Sequence, residues 1–432
     1  MGDDWRVARA ATLRAGLTRD VIDPWFPRSI DRADGGFLSG FDHRWRPIGA
    51  QDRLLEFQAR QTRTAARLGV ALPADARWPE YTRHGMRYLD RVMRDTTHGG
   101  WFAQVDRAGQ AQLGATKDAH GTAYLISCGV EAHQLTGDAL PLEIAHQAFE
   151  WLETTLHDDE HGGYHGWTTQ QGKTILSSAD LPPDLAHRSD DHQGHGIGLK
   201  DANVHSDLLE AFTLLAGVST DARVRLRLAE VYEVLTQHFV TSAGAVHYLL
   251  LADLTPVPGL EHYGYPAQTG HRLPAAAKQL GRSVDEALAV ARQMLEHVLE
   301  WAWDADRGGF DEAGPAAEPR AIGGVQLRIR KRPWWVQTEA AKLLLRLALD
   351  EPAHGRYRVH FDQLMDVLDR EFVDHRNGGW EMKARGDWGR RQRWTGRSMP
   401  KSDKWKDASH EADFHLAAIR LLRGLEPDAP ID

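Results

Sequence analysis

The chain has one cysteine among 432 residues, which excludes an internal disulfide framework. Cys128 sits in an apolar helical run and reads as a buried, inert thiol rather than a nucleophile. Long apolar runs are lacking too, since none approaches the ~20 residues that span a bilayer. The opening stretch MGDDWRVARAATLRAGL has no apolar centre of signal-peptide length, so the expected location is cytoplasmic, with no membrane partner. Positive charge is in short supply. Lys and Arg number 52 against 61 Asp and Glu, a net charge of −9, which leaves no electrostatic footprint for nucleic acid. The segment Lys383–Lys406 is locally basic, with Arg385, Arg390, Arg391, Arg393, Arg397, Lys401 and Lys404. It reads as a solvated loop, the alternative being attraction of an anionic substrate.

What the chain has in plenty is one recurring tag. Asp31–Phe37 reads DRADGGF, Thr96–Trp101 TTHGGW, Asp158–Tyr164 DDEHGGY, Asp304–Asp311 DADRGGFD and Asp374–Trp380 DHRNGGW. A degraded copy, Ser242–Val246, fills the widest gap. Glycine takes positive φ without steric cost and an aromatic can pack beneath it, so each tag predicts a tight turn entering a short strand. Copies recur about every 60–80 residues with helical pattern between them. The predicted fold class is therefore all-α, an (α/α)6 barrel of about twelve helices with short β-hairpins between helix pairs. No linker interrupts the tags, so residues 1–432 read as one domain. The 15 tryptophans are many; packing between helix layers accounts for most of them, the alternative reading being flat platforms on which a sugar could stack.

Helical pattern is expected over residues 4–22, 51–69, 79–95, 117–135, 139–156, 201–217, 221–240, 284–301 and 333–349, and from near Trp405 to Leu425. The pattern lapses at 168–200, the longest irregular stretch, which reads as a mobile lid over the open end of the ring. His187, His192 and His195 lie there beside Asp190 and Asp191, but their spacing fixes no coordination geometry, and no metal is predicted. On the helix at 201–217, Val204, Leu208, Phe212 and Leu215 share one face, and Asn203, Asp207 and Glu210 another. A carboxylate–amide stripe of this kind faces solvent on an outer helix or meets a cavity at the rim of an inner one. His271 precedes Pro274, and proline suits a first helical turn. A helix N-terminus disfavours protonation, so His271 reads as a neutral imidazole able to act as a base.

Six landmarks stand in order along the chain: Gln58-Ala59-Arg60-Gln61; Lys117-Asp118; Asn203 with Leu209-Glu210-Ala211; Gly270-His271; Lys331 with Trp334-Trp335-x-Gln337-x-Glu339; and Trp405-Lys406 with His410. Together they resemble the N-acylglucosamine 2-epimerase superfamily, which includes cellobiose 2-epimerases and mannose isomerases, over nearly the whole chain. The resemblance implies the same barrel, no metal or nucleotide cofactor, a sugar or short oligosaccharide as partner, and a monomer or homodimer. It also implies the chemistry: a base takes the proton from C2 of an open-chain aldose, and an acid returns one to C2 or to C1 of the enediolate. In that scheme His271 and His410 exchange the protons, Arg60 steadies charge on oxygen, and Trp335 and Trp405 stack on the sugar. His120, Asn203, His205, Asp207, Gln337 and Glu339 complete the substrate-binding set.

Three positions depart from the family pattern. The glutamate usual one turn after the first histidine is Pro274, a histidine usual on the asparagine helix is Asp207 with His205 close by, and a tyrosine usual after Lys-Asp is His120. Asp207, Glu210 and Glu261 are the candidates for the missing carboxylate. The departures imply an altered substrate or reaction, and two other readings stay open. One is glycoside hydrolysis or elimination using Asp207 and a partner carboxylate, which hydrolysis needs ~5–10 Å away. The other is a non-catalytic sugar-binding protein.

Overall fold

The computed structural model describes residues 2–112, 115–188, 196–316, 321–322, 325–326, 328–352, 354–389 and 399–432. Twelve helices of three turns or more carry it: α1 (Gly2–Gly16), α2 (Leu55–Ala71), α3 (Arg77–Tyr88), α4 (Ala119–Thr136), α5 (Ala139–Thr155), α6 (Ala202–Ala216), α7 (Ala222–Val234), α8 (Gly264–Leu280), α9 (Val284–Trp301), α10 (Trp334–Asp350), α11 (Gly355–Val367) and α12 (Ser409–Arg423). The even-numbered helices pack on one another in sequence, and α12 returns to α2, closing an inner ring. Each odd-numbered helix lies outside, α1 against α12 and the rest against the inner helix that precedes them. The fold is the expected (α/α)6 barrel. Among the described residues no helix is long and apolar enough to cross a membrane.

Local chemistry sets the helix ends. Asp118 and Asp201 cap α4 and α6, accepting from the N–H groups of Gly121 and Val204 at 2.6 and 2.8 Å. Gly137 ends α4 in the left-handed conformation, as the Thr-Gly-Asp stop predicts. The inner helices are enclosed on nearly every side. In α2 even Gln58, Arg60, Gln61 and Arg63 are buried, so the barrel axis is lined by polar groups that must find partners.

The tags are turns closed by single antiparallel bridges, Ile30 to Phe37, Arg94 to Trp101, His157 to Tyr164, Trp303 to Phe310 and Val373 to Trp380. In all five, an aspartate stands four residues ahead of the first glycine: Asp31, Asp95, Asp158, Asp304 and Asp374. One of its oxygens accepts from two successive N–H groups of the turn. The other meets a cation: Arg53 for Asp31 at 2.6 Å, Lys117 for Asp95 at 2.9 Å, Lys200 for Asp158 at 2.7 Å and Lys401 for Asp374 at 2.6 Å. Asp304 is met by Arg307 and Arg330. Burial opposes the charge of Asp95 and Asp158, but the lysines and the turn N–H groups outweigh it and hold both carboxyls at about 2. Lys117-Asp118 is thus one structural unit, the lysine pinning a turn and the aspartate capping a helix. In the fifth repeat the buried cation of that segment is Arg332, not Lys331; it reaches the Gly308 carbonyl at 2.9 Å and Asp387.

A second device recurs at the fourth residue of three inner helices. Gln58 of α2 accepts from the Phe37 N–H at 2.7 Å and donates to the Phe37 carbonyl at 2.8 Å. Gln337 of α10 does the same with Phe310, both at 2.8 Å. His205 of α6 accepts from the Tyr164 N–H at 3.1 Å through Nε2, while its Nδ1 contacts the Asp201 carbonyl at 2.8 Å. Gln337 and His205, expected at the sugar, are therefore spent on the turns. Burial pushes His205 down to about 4, in keeping with a neutral ring that donates through Nδ1. The degraded tag closes by a bridge from Val240 to Val246, and Glu261 takes the anchoring place, accepting from the Val246 N–H at 2.6 Å and pairing with His297 at 2.5 Å. Glu261, a candidate for the missing carboxylate, is thereby committed to this turn and to His297.

Of the expected lid, residues 189–195 lie outside the described residues, and with them His192, His195, Asp190 and Asp191. Ile175 and Leu181 of the described part pack on Trp167. Arg390, Arg391, Arg393 and Arg397 of the basic stretch also lie outside them. Cys128 is fully buried, and burial pushes its thiol well up, so it is inert as expected.

Candidate active site

The ends of the inner helices that follow the tag turns converge on a cavity of about 250 Å³. Glu56 and Arg60 enter it from α2, His120 and Tyr124 from α4, Asn203 from α6, Tyr265 and Gln268 from α8, Trp334 and Trp335 from α10, and His410 from the first turn of α12; Tyr248 and Trp405 come from loops. One wall is aromatic. Tyr248 stacks on Tyr265 at 5.4 Å, Tyr265 meets Trp335 at 5.3 Å, and Trp335 meets His410 at 6.0 Å between ring centres. Arg60, Tyr124, Gln268 and His410 also line a second, narrower cavity of about 50 Å³ that continues down the axis past His271, Arg272 and Glu339 to Arg67, Asp413 and Ala417.

The polar groups of the axis form one chain of alternating charge: Asp407, Arg60, Glu56, His120, Asp207, Arg272, Glu210, Arg63, Glu131, Arg67 and Asp413. Successive separations run from 2.5 to 3.6 Å. His120 bridges Glu56 through Nδ1 at 3.2 Å and Asp207 through Nε2 at 2.8 Å. Although burial works against its charge, the two carboxylates raise it well above the ordinary imidazole range, so His120 is an imidazolium. Asp207 gives its other oxygen to Arg272 at 2.6 Å and to the Tyr124 hydroxyl at 3.1 Å. Burial opposes ionisation of Asp207, yet Arg272 and His120 keep its carboxyl below the usual range.

Several sequence expectations change here. His271 does not precede a helix: it lies in the second turn of α8, which begins at Gly264 with Pro266 in its first turn, and Pro274 falls inside the helix. The ring is neutral for another reason, burial first and nearby Lys342 second, which push it down to about 3. It lines the lower cavity, and its Nδ1 has no hydrogen-bond partner among the described residues. Asp207 lies behind His120 and does not line the upper cavity. Arg60 lines both cavities, but NH1 pairs with Glu56, Nε with Asp407 at 2.6 Å, and NH2 donates to the Trp405 carbonyl at 2.7 Å. Glu339 lies below the upper cavity, where Oε1 meets Nδ1 of His410 at 2.9 Å and Oε2 meets Lys342 at 2.8 Å. Burial opposes the Glu339 charge, and Lys342 and His410 hold its carboxyl far below the usual range.

His410, His120, Asn203, Trp335 and Trp405 are brought together at the upper cavity; His271 and Glu339 sit beneath it, and His205 and Gln337 elsewhere. Tyr248, Tyr265, Gln268 and Glu56 were not among the expected residues. Tyr265 and Gln268 carry a readable signal, one turn apart at the start of α8, once that start is placed at Gly264. No cluster of three metal-ligating side chains exists among the described residues.

The profile of N-acylglucosamine 2-epimerase (GlcNAc 2-epimerase) matches residues 35–175 and 185–399. The chain belongs to this epimerase family. It is 23% identical over 381 residues to a cellobiose 2-epimerase of Bacteroides fragilis, covering 87% of this chain and 91% of the relative. It is 24% identical over 372 residues to a D-mannose isomerase of Pseudomonas cannabina pv. alisalensis, covering 80% and 77%. In fold it matches the cellobiose 2-epimerase of Spirochaeta thermophila DSM 6192 with a TM-score of 0.81 at 21% identity, over 98% of each chain. Membership of the epimerase family makes the chain an enzyme of sugar epimerisation or isomerisation.

Proposed function

We propose that this epimerase-family chain interconverts neutral open-chain sugars by moving the proton on C2, with His410 as its carrier. The observation that supports this most is the place of His410, at the junction of the two cavities with Nδ1 against the ionised Glu339. That contact assigns the N–H to Nδ1 and leaves the Nε2 lone pair to act as the base. No hydrogen bond to Nε2 is made among the described residues. Trp335 and Trp405 supply flat apolar surface for the sugar, and Asn203 and Gln268 supply amides for its oxygens. Charge developing on oxygen lies beside the His120 imidazolium and Arg60. Both cations are already paired with carboxylates, so among the described residues lining the upper cavity neither is left over for a phosphate or carboxylate on the sugar.

Within that reading, aldose–ketose isomerisation is favoured over epimerisation. Transfer from C2 to C1 on one face needs a single carrier, whereas inversion at C2 needs a group on each face. His120 has both nitrogens held, and His271 lies in the lower cavity. Hydrolysis through Asp207 is disfavoured, because its oxygens are committed and its charge partners keep it ionised. The test is NMR of mannose, glucose and cellobiose incubated with the enzyme in deuterated water. A ketose product supports the favoured branch, a C2 epimer carrying deuterium supports the other, and the absence of any ketose or C2 epimer from all three sugars overturns the reading.

A further inference from the structure

Four residues line both the upper cavity and its narrower continuation, and so form the neck between them: Arg60, Tyr124, Gln268 and His410. Two of the four are spent on the protein. Arg60 commits each of its nitrogens, to Glu56, to Asp407 and to the Trp405 carbonyl. The Tyr124 hydroxyl donates to Asp207 at 3.1 Å. His410 gives Nδ1 to Glu339 and keeps Nε2 for the sugar.

Gln268 differs from all three. The residue is 3% exposed, and its Oε1 has no hydrogen-bond partner among the described residues. Gln58 and Gln337 show how this barrel treats a buried amide on other inner helices, each accepting from and donating to the backbone of a tag turn. A buried carbonyl oxygen without a donor is costly, so the donor that suits Oε1 is one the ligand brings. Tyr265, one turn ahead on α8, meets Trp335 in the aromatic wall. Gln268 therefore stands at the reacting end of a sugar laid along that wall, sharing the neck with His410.

Chemistry then selects the hydroxyl. A carbonyl oxygen accepts and cannot donate. The aldehyde oxygen on C1 of an open-chain aldose has no proton to offer it. The C2 hydroxyl becomes part of the enediolate, and a carbonyl dipole aimed at either of these oxygens would oppose the charge that develops there. The nearest hydroxyl that keeps its proton from substrate to product is the one on C3. We propose that Gln268 is the specificity-determining residue for the C3 hydroxyl of the sugar, which donates to Oε1. The proposal rests on the reading of His410 as carrier of the C2 proton, because that reading fixes which carbons lie at the neck. A buried acceptor left unpaired penalises a sugar without the matching hydroxyl, so loss of the C3 hydroxyl is expected to lower kcat/KM by ~10²-fold or more.

Two measurements test it. In the first, kcat/KM is compared for the wild type and Gln268→Leu on the fastest aldose, its 3-deoxy analogue and its 6-deoxy analogue. The leucine keeps the bulk and removes the polar atoms. It is expected to lower kcat/KM by ~10²-fold on the parent and 6-deoxy sugars, and severalfold at most on the 3-deoxy sugar, where the contact is already gone. Equal factors on all three sugars, or a factor that disappears with the 6-deoxy sugar instead, overturn the assignment. Gln268→Met serves where leucine costs folding. The second measurement needs no turnover: glucitol and 3-deoxyglucitol, open-chain polyols without a carbonyl, are titrated calorimetrically into both proteins. The wild type is expected to bind glucitol ~10-fold or more tightly than 3-deoxyglucitol, and the variant to bind the two alike. A wild type indifferent to the missing hydroxyl overturns the assignment. If no sugar turns over, the reading of His410 fails, and the titration alone decides the role of Gln268.

Discussion

Glu339 divides its carboxylate between two helices, Oε1 to Nδ1 of His410 on α12 at 2.9 Å and Oε2 to Lys342 on its own helix at 2.8 Å. A carboxylate fixed at both ends holds the imidazole in one orientation. His410→Ala is expected to lower kcat by ~10²–10⁴-fold, the usual range for a lost acid–base group. Glu339→Gln keeps the shape but removes the charge, and a smaller loss in kcat is expected. Initial rates on the best aldose check both, and an active His410→Ala enzyme would remove His410 from the mechanism.

His205 shares its place with Gln58 and Gln337, all three satisfying an N–H of a tag turn. His205→Gln should therefore leave stability and activity close to wild type. His205→Ala strands the buried Tyr164 N–H and should cost ~1–3 kcal/mol. Urea unfolding of the two variants separates this account from a role in sugar binding, which would make both variants inactive.

Lys200 is fully buried and joins Asp158 to the carbonyls of Gly162 and Ala252. Replacing it by Met leaves a carboxylate without its cation, and a loss of ~3–5 kcal/mol is expected. Adding Asp158→Asn should restore part of it. Chemical denaturation of the single and double variants measures the coupling; simple additivity would contradict the pairing.

Stability should fall on both sides of neutrality. His205 and His415 are held at about 4 and His271 at about 3, in each case first by burial. Unfolded histidine titrates near ~6.5, so the unfolded chain takes up protons first and stability is lost as pH falls from ~6.5 toward 4. Each of these histidines contributes a loss of ~1.4 kcal/mol for every pH unit of that descent. Below ~3.9 the loss of the tag carboxylates follows, Asp95, Asp158 and Asp304 being held at about 2. His120 works in the opposite sense: its contribution is full below ~6.5 and disappears as pH rises through its raised folded value. Urea midpoints against pH check the signs, and the double variant His205→Gln/His415→Gln should flatten the slope between pH ~6.5 and 4.

The barrel could be read from the chain because its tags are local: glycine pairs and aromatics a few residues apart announce turns, and helical periodicity fills the intervals. The fastenings of those turns were harder to see. Asp95 opens the second tag just ahead of the stretch read from Thr96, and Lys117 lies 22 positions beyond it, so only the folded chain joins them. Pro274 carries the familiar helix-opening signal, yet α8 begins at Gly264 with Pro266 in its first turn, because a proline in either place satisfies the same local rule. His410, Trp335 and Trp405 came from ordered resemblance and do line the upper cavity. His120 and Asp207, two separate departures in the sequence, prove to be partners 2.8 Å apart.

That pairing follows from how the axis is wired. Every interior member of the eleven-residue chain touches a neighbour of opposite sign on each side. Neutralising one cation sets two anions face to face, and reversing one charge does worse, so single replacements there are penalised twice over. Redesign of this enzyme's interior has to proceed in compensated couples, whereas the aromatic wall above can be altered one ring at a time.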